Sequence, residues 1–146
     1  MGVCSEMSAR GLLKAGPVET GAGGTSEAGS LGRILIVEDD VLIRAAAAQY
    51  LRGAGFEVLE AVSVEQALEL LRSSPVQVVF TDVKLPGSQN GLDLMRIVQS
   101  DFPKAKVLLT SGVVKADEVT LDGITLLRKP YFLFEVERHL RTLLAS

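Results

Sequence analysis

Cysteine and histidine are almost absent from this chain of 146 residues, which holds Cys4, His139 and no other residue of either type. A single cysteine cannot close an intrachain disulfide, so a reducing cytoplasm is the expected compartment. With one histidine and one distant cysteine, a zinc site built from nitrogen and sulfur ligands is excluded too. Cationic excess is also missing: 15 lysines and arginines stand against 18 acidic residues, a net charge of -3. The chain therefore has no general attraction for nucleic acid or for an anionic lipid surface. No apolar run of about 18 residues is present to span a bilayer.

The apolar fraction, by contrast, is 47%, enough to fill a core. The length suits one domain of about 100 to 150 residues with a tail. Residues 1–32 hold eight of the 14 glycines and show no apolar periodicity after Leu13. Such a segment buries too little surface to offset its ordering entropy, so it reads as a flexible tail before an ordered domain at 33–146.

From Arg33 onward, short apolar runs alternate with helical patterns, the signature of an α/β chain with a parallel sheet. Strands are expected at Ile34–Val37, Phe56–Leu59, Val76–Thr81, Lys106–Leu109 and Ile124–Leu127. The first helix follows Asp40 and is expected to bury Ile43, Ala46, Ala47, Tyr50, Leu51 and Ala54. Ser63 with Gln66 is a capping-box signal for a second helix burying Val64, Ala67, Leu68 and Leu71. Asn90 caps a third that packs Leu94, Met95 and Val98. Only Val114–Val119 suits a helix before the fifth strand, so the fourth helix should be short. The last helix should bury Leu133, Val136, Leu140, Leu143 and Leu144.

Parallel strands bring their carboxyl ends to one edge, and ligands of such sheets bind outside that edge. Here the first strand ends in Glu38, Asp39 and Asp40, the third in Asp82, the fourth in Thr110, and the fifth leads to Lys129. Carboxylates facing one crevice repel one another unless a cation joins them, and an all-oxygen set suits Mg²⁺. Beside such a metal an aspartate can act as nucleophile toward phosphorus, while an ammonium and a hydroxyl hold the other phosphoryl oxygens. Asp82, Lys129 and Thr110 supply those groups.

Ile34-Leu35-Ile36-Val37-Glu38-Asp39-Asp40, Thr81-Asp82-Val83-Lys84-Leu85-Pro86-Gly87, Thr110-Ser111-Gly112 and Lys129-Pro130-Tyr131 together resemble the receiver domain of two-component response regulators. The resemblance covers about residues 31–146. It implies a flavodoxin-like, doubly wound sheet of five parallel strands in the order 2-1-3-4-5. It further implies that Asp82 takes a phosphoryl group from a histidine kinase or histidine phosphotransfer protein. Mg²⁺ would be held by Glu38, Asp39, Asp82 and the main-chain carbonyl of Lys84, with Thr110 and Lys129 on the phosphoryl oxygens. A cis Lys129-Pro130 bond is also implied.

The chain departs from the family pattern in four places. Glu38 stands where aspartate is commoner, one extra residue lies between Pro86 and Gly91, Leu126 replaces an aromatic residue three before Lys129, and the fourth helix is short. The reading is a stand-alone receiver, monomeric or weakly dimeric, that signals by protein contact and has no separate enzymatic output. One rival is a pseudo-receiver that keeps the fold without phosphorylation-driven switching. Another is a Mg²⁺-dependent aspartyl phosphohydrolase, which would want a second aspartate where Lys84 stands. Asp40 reads as helix-capping charge and His139 as a surface helix residue, while Phe134, off the core stripe, is open to two readings, ordinary packing at the start of the last helix and contact with a partner. Leu42, Ala45 and Gln49 form an exposed strip beside the acidic site.

Overall fold

A computed structural model describes residues 29–112 and 123–146, within which Leu31–Ser146 makes one compact unit. The expected short fourth helix, and the expected tail up to residue 28, lie outside the described residues. The elements run β1 (Arg33–Val37), α1 (Val41–Gly53), β2 (Glu57–Ala61), α2 (Val64–Ser73), β3 (Val78–Asp82), α3 (Gly91–Asp101), β4 (Lys106–Ser111), β5 (Ile124–Arg128) and α4 (Leu133–Ala145). The five strands pair in parallel in the order β2-β1-β3-β4-β5. This is the flavodoxin-like order 2-1-3-4-5, and it puts β3 at the centre of the sheet.

Side chains of a strand alternate between its two faces, so continuous apolar strands feed two cores at once. Leu35, Val37, Val79, Val107 and Leu109 pack against Val64, Ala67, Leu68 and Leu71 of α2 and Leu94, Met95 and Val98 of α3. On the opposite face Ile34, Ile36, Val78, Phe80, Leu108 and Leu127 meet Ala47, Ala48 and Leu51 of α1 and Val136, Leu140 and Leu143 of α4. Each large aliphatic side chain buried this way contributes about 1.5–3 kcal/mol. The buried faces of α2, α3 and α4 are those the sequence spacing predicts, Leu133 and Leu144 lying half-buried at the margin of the second core.

The face of α1 differs from that spacing. Ala48 is buried, whereas Ile43, Ala46 and Tyr50 are exposed and Ala54 is half-buried. The inward stripe is 44, 47, 48 and 51, because the Arg44 guanidinium reaches under the helix to Glu60 and to the main chain of Glu38. Tyr50 instead points its hydroxyl to Glu137 of α4, 2.8 Å away.

Local chemistry explains the element ends. The Phe56 N–H donates to the Leu51 carbonyl at the end of α1, so β2 begins at Glu57 and not at Phe56. β3 begins at Val78 and not at Val76, and includes Asp82. β4 runs on through Thr110 and Ser111, whose carbonyls accept from Val83 and Lys129 at 3.0 and 3.1 Å. Asp40 caps α1 by accepting from Leu42 and Ile43, and Asn90 with Asp93 forms a full capping box on α3. Ser63 caps α2, but Gln66 reaches back to the Val62 N–H, one residue earlier than in a capping box. Among the described residues, no helix is long and apolar enough to cross a membrane.

Gly91 opens α3 directly beneath the end of β3. A Cβ there would clash with the Asp82 carbonyl and stand 2.8 Å from the Val83 Cα, both rigid main-chain atoms. Gly91→Ala is therefore expected to lower stability by about 1–3 kcal/mol, the usual range for overpacking, in urea denaturation. Ala48→Leu should cost a similar amount, while Ala46→Leu, on the exposed side of α1, should shift the midpoint little. Equal effects of the two alanine replacements would contradict the observed face of the helix.

Candidate functional site

The carboxyl ends of β1 and β3 open into a crevice of about 720 Å³ lined by Glu38, Asp39, Asp40, Ile43, Asp82, the 83–90 loop and Lys129. Asp82 closes the central strand with its side chain only 12% exposed. Its Oδ2 accepts from the Lys129 Nζ at 2.6 Å, and its Oδ1 accepts from the Lys84 N–H at 3.2 Å. Lys129 follows β5 and precedes Pro130, with which it forms a cis peptide bond, as the resemblance implies. Burial works against the Lys129 ammonium, but the hydrogen bond and charge of Asp82, with Glu38 behind it, outweigh burial and raise its pKa.

Glu38 is 7% exposed, and its Oε2 accepts from the Asp40 N–H at 2.9 Å. Burial raises its pKa above the ordinary carboxylate value; the Asp40 N–H opposes the shift and the Asp82 charge adds to it. Thr110 lies opposite Asp82 in the β3–β4 register and is buried. It does not line the open crevice. Instead it borders a water-sized void behind it, together with Glu38, Arg44, Asp82 and Tyr131. Tyr131 packs edge-on against Phe80, ring centroids 6.3 Å apart, and burial lifts its phenol pKa.

The residues singled out in the sequence thus stand around one edge. Asp82 and Lys129 touch, Glu38, Asp39 and Lys84 share their crevice, and Thr110 sits just beneath. His139 is partly exposed on α4 and does not line the crevice, and Asp40 caps α1. Every side-chain donor facing the crevice from β1 and β3 is a carboxylate oxygen, the chemistry that a hard cation requires. Among the described residues, no three acidic, histidine or cysteine side chains gather closely enough to hold an ion by themselves. Water and main-chain oxygen would have to complete the shell, as is usual for Mg²⁺.

Two contributors are not evident from sequence spacing. Gly91 donates its N–H to the Val83 carbonyl at 2.8 Å and anchors the loop beside Asp82. Arg44 donates from Nη1 to the Glu38 carbonyl at 2.9 Å and from Nε to Glu60 Oε1 at 3.1 Å. The available signal for Arg44 was a charged residue four places after Asp40, in phase with Ala47, Ala48 and Leu51.

Comparison with known proteins agrees with this architecture. A family model described as the response regulator receiver domain matches residues 34–129. A cyclic di-GMP phosphodiesterase of Thermotoga maritima is 40% identical over 79 residues, 54% of this chain and 21% of that protein. A putative NtrX-like response regulator of Rickettsia felis is 36% identical over 80 residues, 54% of this chain and 17% of that protein. The chain thus matches about a fifth of the length of these curated relatives. Among solved structures, the receiver domain of the hybrid histidine kinase CckA is 32% identical and superposes with a TM-score of 0.68, covering 77% of this chain and 99% of that one. A CheY-like receiver from Methanospirillum hungatei, 24% identical with a TM-score of 0.71 over 80% of this chain and 95% of that one, shares the fold. With the family model matching more than half of the chain and the fold agreeing, the chain belongs to the receiver domain family of two-component response regulators.

Proposed function

We propose that this receiver takes a phosphoryl group on Asp82 from a histidine kinase or histidine phosphotransfer protein, with Mg²⁺ beside it, and signals by contact with other proteins. Phosphorylation and Mg²⁺ dependence are general to receiver domains, which act mainly as switches. For this chain the reading rests on Asp82 at the end of the central strand, with Lys129 2.6 Å away and Glu38 and Asp39 in the same crevice.

One Asp82 oxygen bonds to phosphorus as the bond from phosphorus to the donor imidazole nitrogen breaks. Lys129 then passes from Asp82 to a phosphoryl oxygen, and the Thr110 hydroxyl takes another. Glu38, Asp39, Asp82 and the Lys84 carbonyl would hold Mg²⁺, whose charge offsets that of the phosphoryl group. Lys84 in place of a second aspartate two residues after Asp82 disfavours a phosphohydrolase. Cytoplasmic residence follows from the kind of phosphodonor and accords with a single cysteine, Cys4.

One observation favours the pseudo-receiver reading in part. Leu126 is half-buried against the core cluster of α2 and α3 and has no polar tip with which to form a new hydrogen bond. A switch relayed through this position responds weakly, so phosphorylation should act mainly on the loops around Asp82 and Lys84.

The donor helix must approach Asp82 past the first turn of α1. There Leu42 is 77% exposed, and Val41 and Ile43 extend its apolar surface. Exposed apolar side chains at the rim of a charged site suit a helical partner.

Incubation with Mg²⁺ and a small-molecule phosphodonor should raise the intact mass by one phosphoryl group. Asp82→Asn or excess chelator should abolish the rise; no labelling of the native chain would establish the pseudo-receiver instead. Leu42→Glu should slow transfer from a phosphohistidine protein about 10-fold, the scale of a hot-spot loss of about 1.4 kcal/mol. It should leave small-molecule labelling intact, and equal loss of both would refute the docking role.

A further inference from the structure

Arg44 supplies no group to the crevice walls, yet its side chain is only 15% exposed. Its two hydrogen bonds, to the Glu38 carbonyl and to Glu60, join the loop carrying the acidic pair to the edge strand β2. The Glu38 N–H meanwhile donates to the Ala61 carbonyl at 3.0 Å. Both main-chain polar groups of Glu38 are thus tied to the carboxyl end of β2, one directly and one through Arg44 and Glu60. Glu60 is held on its other oxygen by Arg52 Nη1 at 3.2 Å, and Arg52 also donates to the Val58 carbonyl at 2.8 Å.

β2 contributes no side chain to the crevice, and these bonds are its direct links to the segment that carries Glu38 and Asp39. The Glu38 carbonyl belongs to the peptide that links Glu38 to Asp39. Fixing that plane fixes the direction from which both carboxylates are presented. A guanidinium suits the task because its planar fork serves the carbonyl and the carboxylate together, whereas an ammonium is a point donor on a flexible stem. Bonds from a charged donor are also roughly twice as strong as neutral ones.

We infer that Arg44 is a positioning residue for Glu38 and Asp39, and that through it β2 sets the affinity of the crevice for a hard divalent cation. The inference rests on the phosphoacceptor reading above. Arg44 touches neither the cation nor the phosphoryl group; it acts by holding the Glu38 carbonyl.

The test compares the full chain with Arg44→Met, which keeps the aliphatic packing, and with Arg52→Met, which frees Glu60 of a partner but leaves the Glu38 carbonyl bonded. Mg²⁺ affinity is measured by calorimetry, and hydrogen exchange at the Glu38 and Asp40 amides is measured without metal. Arg44→Met should weaken Mg²⁺ binding about 10-fold, as expected for loss of an outer-shell partner, and should speed exchange at both amides. Arg52→Met should do neither. Equal loss in the two variants would reduce Arg44 to a general stabiliser and overturn the inference, as would native affinity and exchange in Arg44→Met. If the native chain binds no Mg²⁺, the metal reading fails, and so does the inferred control of cation affinity; unchanged exchange in Arg44→Met would then remove the positioning role as well.

Discussion

Parallel pairing requires every strand to enter the sheet from the same side, so every connection must cross back over a face. From that requirement the rest of the molecule follows. Among the described residues the return segments carry helices α1, α2 and α3, which with α4 cover both faces, so β1 can be apolar on both sides, with Ile34 and Ile36 turned one way and Leu35 and Val37 the other. Because all five strands point alike, their carboxyl ends share one edge, and polar residues just beyond the apolar runs meet there without being neighbours in sequence. Glu38, Asp82, Thr110 and Lys129 are brought together in this way.

The electrostatics of that edge follow from its crowding. Burial disfavours the charged form of Glu38, and the neighbouring Asp82 reinforces the effect. Lys129 relieves part of this by bonding Asp82 directly, and it gains proton affinity in return. The ammonium thus stands beside two carboxylates, and a phosphoryl group on Asp82, as proposed above, would bring more negative charge to the same place. The resting contact and the proposed phosphorylated contact use the same lysine, displaced by roughly the length of a phosphoryl group.

Apolar runs and their polar ends made the strands, their parallel alignment and the meeting of the candidate site residues at one edge legible in the sequence. Helices α2, α3 and α4 were legible because their apolar residues follow one clear spacing. Helix α1 was not, since Val41, Leu42, Ile43 and its run of four alanines satisfy more than one phase. Its orientation is decided by Arg44, whose partners Glu60 and the Glu38 carbonyl lie on other segments. The strand order came from family resemblance and not from periodicity. The role of Gly91 was hidden for another reason: close approach of two backbones leaves no mark beyond the glycine itself.

The bond from the Gly91 N–H to the Val83 carbonyl closes the loop at its base, independently of what lies between. Closure entropy grows only slowly with length, so a loop with fixed ends can gain or lose a residue at small cost. The residue that the family resemblance marks as extra between Pro86 and Gly91 lies inside this closed loop, among the residues that line the crevice. A change of length here would reshape the mouth of the crevice while leaving the Asp82–Lys129 contact in place. On the function proposed above, the length of this segment would be one means of fitting the crevice to a particular donor.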